Sequence, residues 1–229
     1  MSVSDRDGTP RPRPGRALLL LTAGLTLTVT AGVAACRAEP ADDFGAPAVT
    51  TLASTPPTSS PATSSAVPVA DGALPRASAT DAPARLRVPA LDLDARVDAV
   101  GIDKATGDFA VPPSVDRVGW YRYGPGFSAT AGSIVVAGHV DSAAEGKGAF
   151  FRLGSLKPGD AVTLTGADGK DRTFEVVARE RYRKTAIPLA KYFARDGAPR
   201  LTLITCGGPF DPETRHYRDN VVVTATAQS

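Results

Sequence analysis

Two histidines and two cysteines limit where nucleophilic or acid–base chemistry can sit in this 229-residue chain. Cys206 closes an alternating run, Leu201-Thr202-Leu203-Ile204-Thr205-Cys206, and precedes Gly207-Gly208-Pro209. That arrangement predicts a thiol at a strand mouth, with a small-residue loop beyond it. A thiol becomes a nucleophile as the thiolate, which needs an accessible, polar setting; a structural cysteine is expected mid-strand on the core face. His139 ends a second apolar run, Ser133-Ile134-Val135-Val136-Ala137-Gly138-His139. A cysteine with a histidine is the minimal unit for thiol catalysis, the imidazole moving the proton. His216 competes for that role from a polar stretch, Glu213-Thr214-Arg215-His216-Tyr217-Arg218. Arg218, read as lying just before the last strand, can aim a guanidinium at a developing oxyanion; Arg215 stands three residues earlier. Cys206 and His139 with one carboxylate give no recognised zinc spacing, so neither a metal nor a cofactor is expected.

The elements that must position these groups read as mostly β. Leu91–Val97 alternates after Arg85–Pro89, and Ala161–Thr165 and Thr173–Glu180 flank a turn at Ala167-Asp168-Gly169-Lys170, where Asp-Gly is a strong hairpin signal. Asn220–Ala227 forms the last strand, and helical stretches are confined to Phe150–Leu153 and Leu189–Arg195. Seven or eight strands in about 145 residues predict a closed or nearly closed β-barrel with short helices. No Rossmann or P-loop glycine pattern is present.

Composition divides the chain. Residues 1–16 form a basic tail, followed by the uncharged stretch Ala17–Ala35, which ends at Cys36. Nineteen uncharged, predominantly apolar residues suffice to cross a bilayer, and arginines before them fit the positive-inside pattern. Residues 17–36 therefore read as a transmembrane signal anchor or, since Val33-Ala34-Ala35-Cys36 resembles a lipobox, as a lipoprotein signal. Either one tethers the remainder to the outer face of the cell membrane. Residues 37–84 are rich in Pro, Ala, Ser and Thr, show no hydrophobic period, and predict a disordered stalk. Residues 85–229 are the folded unit, long enough for one core. With 26 basic and 24 acidic residues the chain has a net charge of +2, which gives no basis for nucleic-acid binding.

These residues together resemble the sortase family. Leu203-Ile204-Thr205-Cys206 is similar to its Leu-x-Thr-Cys signature, Gly138-His139 to its histidine segment, and Arg218 to its arginine at the last strand. The order His, Cys, Arg and the separations of 67 and 12 residues also fit. Thr205-Cys206-Gly207-Gly208-Pro209-Phe210 and His216-Tyr217-Arg218-Asp219-Asn220 look like the actinobacterial class E or F type, class F being favoured.

The resemblance implies a β-barrel cysteine transpeptidase. Its substrates are surface proteins bearing a C-terminal sorting signal such as Leu-Pro-x-Thr-Gly, cut between Thr and Gly. It implies that Cys206 forms a thioester with the Thr carbonyl and that His139 protonates the leaving amine. Arg218 stabilises the oxyanion, and Thr205 shapes the substrate site. An amine of peptidoglycan or its precursor is the acceptor, and the segment 181–200 corresponds to the loop that reads the signal. Asp141 is a weak candidate for orienting His139. The rival from another class is a non-catalytic, membrane-tethered binding module, which the same barrel and stalk would suit; whether Cys206 and His139 converge discriminates between them. Papain-like peptidases place Cys before His, and L,D-transpeptidases have a Ser-His-Gly-Cys type motif; neither pattern is present.

Overall fold

The computed structural model describes residues 42–54, 79–103 and 109–228. The tail at 1–16, the apolar stretch at 17–36 and most of the stalk at 37–84 lie outside these residues. Among the described residues no helix is long and apolar enough to cross a membrane.

Among the described residues there are ten strands: β1 (Pro83–Val88), β2 (Leu93–Val100), β3 (Val118–Tyr121), β4 (Ser133–Gly138), β5 (Asp141–Ser142), β6 (Gly146–Lys147), β7 (Ala161–Gly166), β8 (Asp171–Arg183), β9 (Arg200–Asp211) and β10 (His216–Ala227). Eight close into a barrel in the order β1-β2-β3-β4-β9-β10-β8-β7, and β5 and β6 form a small separate hairpin. Pairing is antiparallel except between β2 and β3 and between β4 and β9. The expected mainly β, closed barrel of about eight strands with short helices is what the chain forms.

Alternation builds the wall. In β7 every second residue is buried, and Val162 and Leu164 enter the core with Leu86, Phe174, Val176, Ile134, Val136, Leu201, Leu203, Val221 and Val223. A period of two sends the residues between them outward. The Asp-Gly signal is realised: Gly169 takes φ +79° in the β7–β8 turn, a conformation open to glycine at no steric cost. Trp120 is buried in this core, and its indole N–H donates to the Pro125 carbonyl at 3.0 Å.

Several boundaries differ from those expected. β3 has no counterpart in the sequence reading; four residues, Val-Gly-Trp-Tyr, are too few to show a period. The helical stretch expected at Phe150–Leu153 is a 3-10 turn at Leu153–Ser155, and the one at Leu189–Arg195 is the single-turn α2 (Leu189–Tyr192). The loop expected after Cys206 is absent, because β9 runs on through Gly207-Gly208-Pro209 to Asp211. Gly208 makes this possible. The pairing slips by one residue between Gly207 and Phe210, and Gly208 absorbs it at φ +72° against Asp219, as a glycine bulge does. β10 accordingly begins at His216, so His216 and Arg218 lie within a strand and not ahead of it.

Within the stretch expected to be stalk, two described pieces are ordered. Residues 46–54 form a helix, α1, and Phe44 pairs with Arg179 on the barrel. A 3-10 turn at Ala79–Asp81 leads into β1, which starts at Pro83. Composition hid α1 because its order comes from the face it packs on and not from its own nine residues.

Candidate active site

Backbone register brings the predicted pair together. β4 and β9 run parallel side by side, with Ala137 level with Ile204. Two residues further on, His139 is level with Cys206. Both have the outward parity, since Ile134, Val136, Leu201 and Leu203 occupy the barrel interior. They line one cleft of about 580 Å³ on the outer wall, together with Asp141, Ser142, Lys184, Phe210, Arg215, His216 and Tyr217. Cys206 is a free thiol, partly exposed. His139 is also partly exposed, and its Nε2 lies 2.9 Å from the Pro112 carbonyl oxygen. That contact fixes the ring from the β2–β3 connection, leaving Nδ1 as the nitrogen free of it.

Thr205 does not line the cleft as a substrate-shaping residue would. Its parity is inward, it is buried, and its hydroxyl donates to the Gly138 carbonyl at 2.8 Å. The bond joins the residue before Cys206 to the residue before His139. Thr205 thus fixes the level of one chemical group against the other, since a buried hydroxyl and carbonyl are costly to leave unpaired.

Arg218 does not line the cleft either. On β10 it shares a face with Asn220, the residue paired with Cys206. Its guanidinium is half exposed and donates to Asp211 Oδ2 at 3.2 Å. Asp211 is held below the usual carboxylate range, first by the backbone N–H groups of Thr214 and Glu213 and then by Arg218. The residues in the cleft are instead Arg215, at φ +57°, and His216, both exposed.

Tyr217 and Asp141 were not expected to meet. The Tyr217 hydroxyl donates to Asp141 Oδ2, so the segment carrying His139 is tied to β10 across the cleft. Asp141 therefore receives Tyr217 and not the His139 ring. The phenol is pushed up to about 12 by that carboxylate, by burial, and by the proximity of Cys206. Phe210 packs edge-on against Tyr217 at 5.2 Å and leaves half its ring open, giving the cleft an apolar lip. The only sequence signal for this pair was an aromatic residue in the polar stretch after Cys206. Among the described residues no group of three or more His, Cys, Asp or Glu side chains could hold a metal.

Residues 86–228 match the model of the Sortase domain. No curated protein matches the chain. Among solved structures, a pilus-related sortase C of Group B Streptococcus aligns with a TM-score of 0.50 at 13% identity, over 66% of this chain and 69% of that one. A lid mutant of sortase A from Corynebacterium diphtheriae gives 0.49 at 21% identity, over 64% and 70%. For another sortase A chain from that organism the values are 0.49 and 21%, over 65% of this chain and 61% of that one. These identities bear on the fold alone. The family match covers more than half of the chain, and the chain belongs to the sortase family.

Proposed function

We propose that this protein is a membrane-tethered cysteine transpeptidase of the class F type, acting on a C-terminal sorting signal of the Leu-Pro-x-Thr-Gly kind. The observation that carries the reading is the convergence of Cys206 and His139 in one outward cleft, Cys206 on β9 and His139 just past the end of the parallel neighbour β4. A module built only to bind has no need of that pairing.

In the proposed reaction the Cys206 thiolate attacks the Thr carbonyl carbon, and the electron pair moves to oxygen. Collapse of the tetrahedral intermediate breaks the Thr–Gly C–N bond, and His139 gives its proton to the departing amine. The thioester is then attacked by an amine of peptidoglycan or its precursor. His139 takes up that amine's proton, and the Cys206 thiolate departs. Arg218 would stabilise the oxyanion; to do so its guanidinium must turn from Asp211 toward the cleft, on the face where Asn220 already lies beside Cys206. The connection from Lys184 to Pro199 would form the wall that reads the signal. The apolar stretch at 17–35 would tether the enzyme to the outer face of the membrane.

The test is incubation with a Leu-Pro-x-Thr-Gly peptide series, followed by mass spectrometry of the protein. An acyl adduct on Cys206, absent in Cys206→Ala, is the expected result. A thiol that accepts no acyl group from any sorting-signal peptide refutes the reading.

A further inference from the structure

The connection between β8 and β9 is held from one side by residues distant in sequence. Phe44 and Arg179 exchange two backbone hydrogen bonds, each of 2.9 Å, adding one bridge to the edge of β8. The Arg179 guanidinium donates to the Asp42 carbonyl at 2.6 Å and lies 5.0 Å above the Phe44 ring. The Asp43 carboxylate accepts the Arg181 N–H at 2.9 Å. α1 then lays a fully buried Val49 into a cluster with Ala178, Val222 and Tyr192 of α2. Near its end the Leu52 carbonyl accepts the Ala198 N–H at 2.9 Å.

Two glycines admit this contact. Gly45, at φ +79°, lies where a Cβ would overlap the Val177 carbonyl, and Gly197, at φ +77°, lies where one would overlap the Leu52 carbonyl. Tyr192 is gripped from both sides. Its ring meets Val49, and its hydroxyl donates to the buried Glu180 at 2.6 Å, beside Tyr182 at 2.9 Å. Lys191 Nζ donates to the same carboxylate at 3.3 Å.

We propose that residues 42–54 are a positioning strap that sets the β8–β9 connection and, through it, the wall against which the sorting signal binds. The proposal rests on the reading of that connection as the signal-binding wall. A nine-residue helix has too few internal bonds to persist alone, so α1 is ordered by the barrel and in return orders α2. Such a unit can loosen without the barrel opening. Its loss would spread the wall's conformations, weakening peptide binding while leaving Cys206 on β9 and His139 at the end of β4 in place.

The experiment uses the full chain with Val49→Asp or Gly45→Val, and Thr50→Asp on the exposed face of α1 as control. Peptide cleavage kinetics, hydrogen exchange at Ala198 and thermal melting are measured together. Val49→Asp and Gly45→Val are expected to raise KM by about threefold to tenfold with kcat within about twofold, the signature of lost binding. Ala198 should lose protection while the barrel keeps its melting transition, and Thr50→Asp should match wild type. Unchanged KM in both variants overturns the proposal, whether or not Ala198 stays protected. So does a fall in kcat at constant KM. Should Val49→Asp not fold, Phe44→Ala tests the same hold with less burial at stake and is judged by the same criteria. A wild-type chain that forms no acyl adduct refutes the transpeptidase reading and not the strap's hold on the connection, which exchange at Ala198 reads without substrate.

Discussion

Tyr217→Phe removes one hydroxyl and leaves the ring that packs on Phe210. The lost bond runs to a carboxylate across the cleft, joining the strand after the cysteine to the residue two places after His139. A hydrogen bond to a charged group contributes about 1.5–3 kcal/mol net, and the partial exposure of both partners places this one at the lower end. If the bond aligns His139 with Cys206, losing about 1.5 kcal/mol of that alignment slows the first chemical step by about tenfold. The assay is single-turnover acylation of Cys206 by a sorting-signal peptide. Asp141→Ala should slow it similarly, and the double variant should lose no more than the larger single loss, because both changes break one interaction. A pH titration checks the same bond. The phenol is raised from its ordinary value near 10 to about 12. Tyr217 therefore contributes stability that is fully present below pH 10 and is lost as pH rises toward 12. Ultraviolet titration of wild type minus Tyr217→Phe should show one tyrosine ionising near pH 12, and Asp141→Ala should bring it down. Wild-type acylation by Tyr217→Phe, together with a phenol titrating near 10, would refute the clasp.

Other outcomes follow from the same geometry. His139→Ala should lower turnover by about 10²–10⁴-fold, the usual worth of a general acid–base group, whereas His216→Ala should leave it near wild type in the same peptide assay. Arg218→Ala should lower turnover by about 10²–10³-fold, as loss of an oxyanion donor does, with Arg218→Lys restoring part of it; if Arg215→Ala shows that loss and Arg218→Ala does not, the oxyanion role belongs to the cleft-lining arginine. Gly208→Ala should lower stability in denaturant unfolding by at least about 1–2 kcal/mol, the cost of a left-handed backbone for a residue with a Cβ, because its methyl group would also overlap Asp219.

The site was legible because the chemistry had so few addresses. One thiol lies in the folded unit, and two histidines were available to serve it. An alternating run placed Cys206 and a continuous apolar run placed His139 at strand ends, and the structure keeps Cys206 within β9 and His139 just past the end of the neighbouring β4. What could not be read was which way a side chain faces once a strand continues. Gly207-Gly208-Pro209 has the composition of a loop, yet a single left-handed glycine lets β9 carry on as a bulged strand. That continuation moves Arg218 into β10 and turns its guanidinium to Asp211, three residues from the Arg215 that lines the cleft. Thr205 shows the same limit. The family resemblance implied substrate contact for it, but adjacent residues in a strand face opposite ways, and its hydroxyl reaches Gly138 inside.

Residues 42–54 were illegible for a deeper reason. Ala46-Pro47-Ala48-Val49-Thr50-Thr51-Leu52-Ala53-Ser54 buries Val49 alone among its side chains, and one buried residue makes no period. The information that orders it lies elsewhere, in Arg179 inside β8, in Gly197 before β9 and in the ring of Tyr192. Arg179 itself was hidden, because an arginine in an alternating strand reads as solvent-facing until a carbonyl from a remote segment is found to accept from it. Here two do: Leu156 takes Nη1 at 2.6 Å and Asp42 takes Nη2 at the same distance. A buried guanidinium satisfied by carbonyls from both directions is costly to strand, so the barrel surface selects residues 42–44 as strongly as they select it. The order of residues 42–54 is therefore set by complementarity across more than a hundred residues of chain, a property that local composition does not carry.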